Sequence, residues 1–248
     1  MTMRWRLAVL AALVIGSLIF MLSKAPFGQD LSYHLFSDSR VFFGIPKFFD
    51  VLSNLPFLLV GAAGVRFCWH EHELPLRSAW LTFFVGVAAV SAGSAYYHWA
   101  PDNLTLVWDR LPMTVGFMGL FAALLAEYVS VRLARLLLVP ALLVGIASVW
   151  YWHTFDDLRF YYWVQLMPMM VVPALMLLFK PRYSHQWLLL VTLGCYLLAK
   201  YTESHDAALF ALSQQTLSGH SLKHLLAALS CLAVLLMLGK RKPLPNAR

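Results

Sequence analysis

The sequence predicts an all-α membrane protein, a polytopic bundle of seven core helices with one additional helix at the N-terminus. Three observations predict it. The 248 residues are 60% hydrophobic and only 12% charged, with a mean hydropathy of +0.69, far outside the range of soluble domains. The apolar residues gather into eight runs of about 17 to 22 residues whose middles avoid Lys, Arg, Asp and Glu, roughly the length a helix needs to cross the hydrocarbon layer. The joining segments are short and carry Pro, Asp, Asn, Ser and Arg, which leaves no room for a separate soluble domain.

The first run, 7–23, follows the basic start Met1 to Arg6. Its core, Leu7 to Leu22, is long for a secretory signal, and Ser23-Lys24-Ala25-Pro26 makes a poor cleavage site, so it reads as a retained helix. The second, 50–67, follows the polar stretch Lys24 to Asp50. The third, 79–98, rises from the loop Glu71 to Arg77 and carries Ala88, Ala89, Ser91, Ala92 and Gly93, the small-residue surface by which membrane helices approach closely. The fourth, 109–128, opens with Trp108-Asp109-Arg110 after Pro101 to Asn103. The fifth, 133–152, starts beside Arg132 and closes on Tyr151-Trp152. The sixth, 161–179, opens with Tyr161-Tyr162-Trp163 after Asp156 to Arg159, where the aromatic residues are interfacial anchors. The seventh, 186–202, follows Lys180 to His185, and the eighth, 219–239, ends at Lys240-Arg241-Lys242. The chain thus divides into an N-terminal helix and loop (1–46), a seven-helix core (47–239) and a basic tail (240–248).

The net charge of +7 does not indicate nucleic acid, because the basic residues are dispersed among short loops and form no stripe or arm. Their distribution does suggest an orientation. With the N-terminus inside, 12 of the 19 Lys and Arg residues fall in inside segments and 6 outside, with Lys223 in the last helix making up the total. Both termini are therefore expected in the cytoplasm, with nine of the twelve acidic residues on the outer face. Cys68, Cys195 and Cys231 have no paired spacing and read as packing residues.

Ionisable side chains inside a membrane helix cost a few kcal/mol each and are functional candidates by default. Ser94 and His98 stand four apart at the end of the third run, on one helical face. His220 and His224 stand four apart at the start of the last, the spacing with which one face offers two nitrogens to one metal. Asp109 is expected in the first turn of the fourth run. One of these helices runs outward and two run inward, so His98, Asp109, His220 and His224 share the outer face, and one shallow pocket contains all five residues. Three neutral imidazoles leave a fourth tetrahedral position open, as in catalytic zinc sites that hold a water. Asp109 is then placed to orient or deprotonate that water, and Ser94 to donate a hydrogen bond to a developing oxyanion.

Plainer readings stand beside these. His98 alone is an interfacial residue, Ser94 a packing residue, and Asp109 a partner of Arg110. His70, His72 and His185 lie in inside loops, out of reach. His153, Glu203, His205 and Asp206 are outer residues, candidates for an entrance or simply solvated. Lys223, between the two histidines, is expected to face away from a cation or reach to the surface. A serine protease using Ser94 and a bis-histidine haem bundle are further alternatives; Gly93-Ser94-Ala95 lacks the glycine that a rhomboid-type protease places after its serine.

Taken together, Ser94-x-x-x-His98, Asp109 and His220-x-x-x-His224 resemble the alkaline ceramidases and the wider superfamily that includes the progestin and adiponectin receptors. Ser-Gly-His-Ser-Leu-Lys-His (218–224) is similar to bacterial ceramidase-like members, and Phe48-Phe49-Asp50-Val51-Leu52-Ser53-Asn54-Leu55 to the family's first core helix. The resemblance covers about 47–239. It implies a zinc ion on His98, His220 and His224, with Asp109 and Ser94 around a catalytic water. It implies hydrolysis of the amide bond of ceramide or a related lipid, in a bacterial inner membrane, with a ceramide-like lipid and the bilayer itself as partners. Calcium is not implied, because Lys47 stands where the eukaryotic enzymes carry an acidic calcium ligand. Some members of the superfamily are known chiefly as receptors, so a zinc-containing receptor or lipid-binding protein is the alternative function. Acyl-chain preference and oligomeric state do not follow from these residues.

Overall fold

A computed structural model describes residues 2–245, and among them the chain is helical with no β-strand. The helices are α1 (Met3–Leu22), α2 (Phe48–Leu52), α3 (Leu55–His70), α4 (Arg77–Trp99), α5 (Asn103–Tyr128), α6 (Val131–Phe155), α7 (Arg159–Leu178), α8 (Leu188–Ser204), α9 (Asp206–Leu212) and α10 (Gly219–Lys240). Seven are long and apolar enough to cross a membrane, counting α2 and α3 as one span over Phe48–His70. The remaining expected span is α8, whose 17 residues extend roughly 25 Å, short of a hydrocarbon layer of about 30 Å. It nevertheless reaches both ends of the bundle. Gln186, just before it, donates to Glu127 at the end of α5 (3.2 Å), and Glu203 in its last turn accepts from Lys223 near the start of α10 (3.1 Å).

Helix starts follow local chemistry. Asp102, Ser130 and Ser218 cap α5, α6 and α10, each accepting a hydrogen bond from a backbone N–H three residues on. At α5 the cap is reciprocal: the Asp102 carboxylate accepts from the Thr105 N–H and the Thr105 hydroxyl accepts from the Asp102 N–H. The backbone donation from Thr105 holds the Asp102 carboxyl below its ordinary range. This box starts α5 six residues before the expected 109 and moves Asp109 from the first turn to the second, one step deeper into the bundle. The expected run begins at Asp109 because Asp102, Asn103 and Thr105 are polar, and a capping box places such residues in the first turn of a helix.

Helix α5 is the central helix, with 67% of its apolar window buried, whereas α1 lies at the edge with 6%. Close approach around α5 depends on glycine. A Cβ on Gly93 of α4 would fall 2.1 Å from the Trp108 carbonyl oxygen, and one on Gly119 would fall 2.6 Å from the Phe83 nitrogen. Without glycine there, α4 and α5 could not hold their present separation. Helices α8 and α10 are joined by a reciprocal pair, Thr192 Oγ1 to Ser230 O (3.2 Å) and Ser230 Oγ to Thr192 O (2.9 Å). The three cysteines are free, and Cys68 is fully buried in the core.

Candidate metal centre

The C-terminal end of α4, the first turns of α5, the α2–α3 break and the N-terminal end of α10 meet at one end of the bundle. There His98, His220 and His224, all buried, bring one ring nitrogen each to within 4.8 Å of one another. The Nε2 atoms of His98 and His220 are 3.2 Å apart. Two nitrogens at about 2.0–2.1 Å from a tetrahedral metal stand roughly 3.3 Å apart, so this separation is that of two ligands to one ion. His224 Nε2 is buried without a hydrogen-bond partner, a costly state for an imidazole nitrogen unless a cation or donor meets it. Its other nitrogen, Nδ1, is 2.8 Å from Ser53 Oγ, and the Ser53 hydroxyl donates to the Asp50 carbonyl oxygen (3.1 Å). That arrangement fixes the ring as second-sphere partners fix metal-bound histidines. The donor set of three neutral nitrogens therefore fits a divalent metal ion.

The N-terminal ends of the site are secured by carboxylates. Asp50 is fully buried and accepts from the hydroxyls of Ser221 (2.7 Å) and Ser218 (3.1 Å), which fastens α2 to the first turn of α10. Asp206 Oδ1 accepts from the His220 N–H (2.8 Å) and Oδ2 from the Ser37 N–H (3.0 Å). Asp206 therefore positions a ligand-bearing helix. His205 stacks on Tyr201 and His153 sits beside Trp150, both away from the cluster. His70, His72 and His185 lie at the far end of the helices, as expected.

Two expectations need correcting. Lys223 does not turn away from the cluster: its Nζ lies 2.8 Å from His220 Nε2 and 3.1 Å from Glu203 Oε1. Glu203, which also accepts from the Tyr33 hydroxyl (3.0 Å) and pairs with Lys200, draws the ammonium inward. Asp109 does not pair with Arg110; among the described residues no carboxylate lies within 4.0 Å of that guanidinium. Ser94 and Asp109 are both buried on facing helices, where Gly93 touches Trp108. No direct hydrogen bond joins either to the three imidazoles among the described residues.

The segment 24–47 folds back over this end of the bundle. Leu158 N–H donates to Phe27 O (2.9 Å), Gln29 N–H to Asp156 Oδ1 (2.9 Å), and Arg40 to Thr216 O (3.2 Å). The Phe36 ring sits 4.6 Å from both the His98 and the His220 rings, so an aromatic lid excludes water from the cluster on that side. His34 bridges the Tyr97 hydroxyl (2.9 Å) and Asn103 Oδ1 (3.0 Å). Sequence reasoning missed Phe36, His34, Ser53 and Asp50 as parts of this site. Only the Asp50–Asn54 segment carried a signal, as polar residues entering an apolar run.

Below the lid an apolar cavity runs into the bundle between α5, α7, α8 and α10. Asp109, Arg110, Glu203 and Lys223 line its polar end, and Phe117, Leu120, Met169 and Leu193 its apolar end. From Asp109 to Leu120 is eleven residues, roughly 16 Å along the helix. None of the three histidines lines it; Lys223, whose ammonium lies 2.8 Å from His220 Nε2, links its polar end to the cluster. No protein-family model, curated protein or solved structure matches the chain.

Proposed function

We propose that the protein is an integral-membrane, zinc-dependent hydrolase that cleaves the amide bond of ceramide or a related lipid, in line with its resemblance to the alkaline ceramidases. The observation that supports this reading most is the convergence of His98, His220 and His224 next to Lys223, which lines the polar end of an apolar cavity. A zinc ion held by these nitrogens would lower the pKa of a bound water towards about 7 and polarise a carbonyl. Asp109, at the cavity end beside the cluster, is assigned the water's proton. Ser94 is assigned a hydrogen bond to the carbonyl oxygen as charge develops on it. The cavity wall at Phe117 and Leu120 holds the acyl chain, and Phe36 keeps bulk water from the reacting bond. The distribution of basic residues supports placing the histidine end on the outer face, with both termini cytoplasmic.

A second reading, a zinc-containing receptor or lipid-binding protein without turnover, is favoured by one observation. Neither Asp109 nor Ser94 makes a direct hydrogen bond to the three imidazoles among the described residues, so neither group assigned to the reaction touches the cluster. Purified protein incubated with defined lipids separates the two. The hydrolase releases fatty acid, and release is abolished by a chelator and by His220→Ala; no release from any lipid amide or ester by metal-loaded protein rejects it. Metal analysis is expected to give about one zinc per chain, falling sharply in His98→Ala, His220→Ala and His224→Ala.

A further inference from the structure

Among the described residues Arg110 is the one guanidinium lining the cavity, and its residue is only 4% exposed. A guanidinium is charged at any physiological pH, so its burial calls for compensation. Nη2 donates to Gln29 Oε1 (2.6 Å), and the cation lies 4.0 Å from the Trp152 ring centre and 4.6 Å from that of Tyr161. What it has includes a third aromatic ring, Tyr33 at 5.9 Å, but no carboxylate within 4.0 Å among the described residues. Nη1 is buried without a hydrogen-bond partner, and so is the indole Nε1 of Trp152. Two donors without acceptors thus occur side by side, the guanidinium at the polar end of the cavity and the indole behind it, outside the lining. The neighbouring cations are different, since Lys200 and Lys223 are both engaged by Glu203.

The position of Arg110 says which part of a ligand it meets. It follows Asp109 in sequence and contacts Gln29 of the covering segment, so it stands at the head end, away from the apolar end at Leu120 and Leu193. A chain lying in the cavity with its amide at the polar end has its head group at the same end as Arg110. One positive charge without a carboxylate partner matches one negative charge, and a planar guanidinium edge matches a planar carboxylate. A phosphate monoester carries nearly two charges and is ordinarily met by several arginines.

We propose that Arg110 receives a carboxylate on the head of the lipid, so that the site selects N-acyl amino acids over neutral lipid amides. This inference rests on the reading of the cavity as a lipid-amide site and narrows its substrate, placing a related, carboxylate-bearing lipid ahead of neutral ceramide.

The test compares N-palmitoylglycine with N-palmitoylethanolamine, which share the acyl chain and the amide and differ in the carboxylate. Binding is measured by displacement of a fluorescent lipid from the full chain in nanodiscs, with chelator present so that nothing turns over. The expected result is at least about tenfold tighter binding of the glycine conjugate. That ratio is expected to collapse towards one in Arg110→Gln and to be partly kept in Arg110→Lys, which retains charge without the fork. Equal affinity of the two ligands for the unaltered protein overturns the proposal, as does a preference that survives Arg110→Gln. Palmitate is the third arm: if it binds as tightly as the glycine conjugate and is weakened equally by Arg110→Gln, Arg110 reads the acyl carboxylate and the headgroup assignment is overturned. Hydrolysis is scored separately with metal-loaded protein. Carboxylate preference without hydrolysis of either amide rejects the hydrolase reading alone, and equal hydrolysis with equal binding rejects this inference alone.

Discussion

Ser53 Oγ stands 2.8 Å from Nδ1 of His224, and a side chain at the break between α2 and α3 thereby decides which nitrogen of that imidazole keeps its lone pair. Because the Ser53 hydroxyl donates to the Asp50 carbonyl, its oxygen is left to accept from Nδ1–H, and Nε2 is left unprotonated towards the other histidines. Removing such a partner typically weakens metal binding about 10- to 100-fold. Ser53→Ala is expected to lower zinc affinity by that order in competition with a chelator, and Ser53→Thr to preserve it. Unchanged affinity in Ser53→Ala would show that His224 is oriented by packing alone.

Lys223 makes a prediction of opposite sign. An ammonium 2.8 Å from His220 Nε2 occupies the lone pair that a metal needs, and two cations within about 4 Å repel by several kcal/mol at an interior effective dielectric of about 20. Lys223→Met is expected to raise zinc affinity by about tenfold or more, read by the same competition. Glu203 keeps Lys200 and Tyr33 as partners in this variant, so the fold should persist. A fall in affinity would instead make the ammonium a support for the ligand geometry.

The contrast between these two residues shows what the sequence could carry. The i, i+4 spacing of His220 and His224 and the depth of His98 are properties of single helices, so periodicity and a count of spans sufficed to bring the three together. The direction of Lys223 is not such a property. It depends on Glu203, twenty residues earlier on α8, which pulls the ammonium inward. Phe36 and Ser53 were illegible for a related reason. Each meets a histidine only because 24–47 crosses the bundle end and because the helix breaks at 53–54, and neither event leaves a periodic trace. The late start expected for α5 was a local error, since the Asp102–Thr105 box was present in the sequence.

Gly93 connects helix packing to the site. A Cβ there would meet the Trp108 carbonyl oxygen, which is backbone and cannot rotate away. Gly93→Ala must therefore separate α4 from α5, and overpacking of this kind costs about 1–3 kcal/mol. His98 lies five residues further along α4, so the separation also moves a ligand. The expected outcome is a lower thermal midpoint together with lost zinc stoichiometry in the folded fraction. Gly194→Ala is the control: it lies in α8 with nothing within 4 Å of the added carbon, and better helix propensity should leave stability equal or slightly higher. Full zinc content in Gly93→Ala would disconnect the glycine from the site.

At the opposite end, Glu127 and Arg241 form an ion pair whose side chains are 0% and 7% exposed. Gln186 donates to the same carboxylate, and the arginine lies 4.2 Å from the Tyr183 ring centre. Backbone bonds join the tail to the α7–α8 segment, from Ser184 N–H to Lys242 O (2.9 Å) and from Leu244 N–H to Arg182 O (3.0 Å). Breaking a buried pair from one side strands the other charge, at about 3–5 kcal/mol, whereas removing both charges can be nearly neutral. Glu127→Ala and Arg241→Ala are each expected to destabilise by that amount in detergent unfolding. The paired change Glu127→Gln with Arg241→Met should cost much less than the sum of the single changes. Strictly additive losses would mean that the two side chains stabilise the fold independently. Glu127 lies eighteen residues beyond Asp109 on α5, roughly 27 Å away, so zinc per folded chain should be the same in all three variants. A variant of this pair that folds but loses its zinc would show that the two ends of the bundle are coupled through α5.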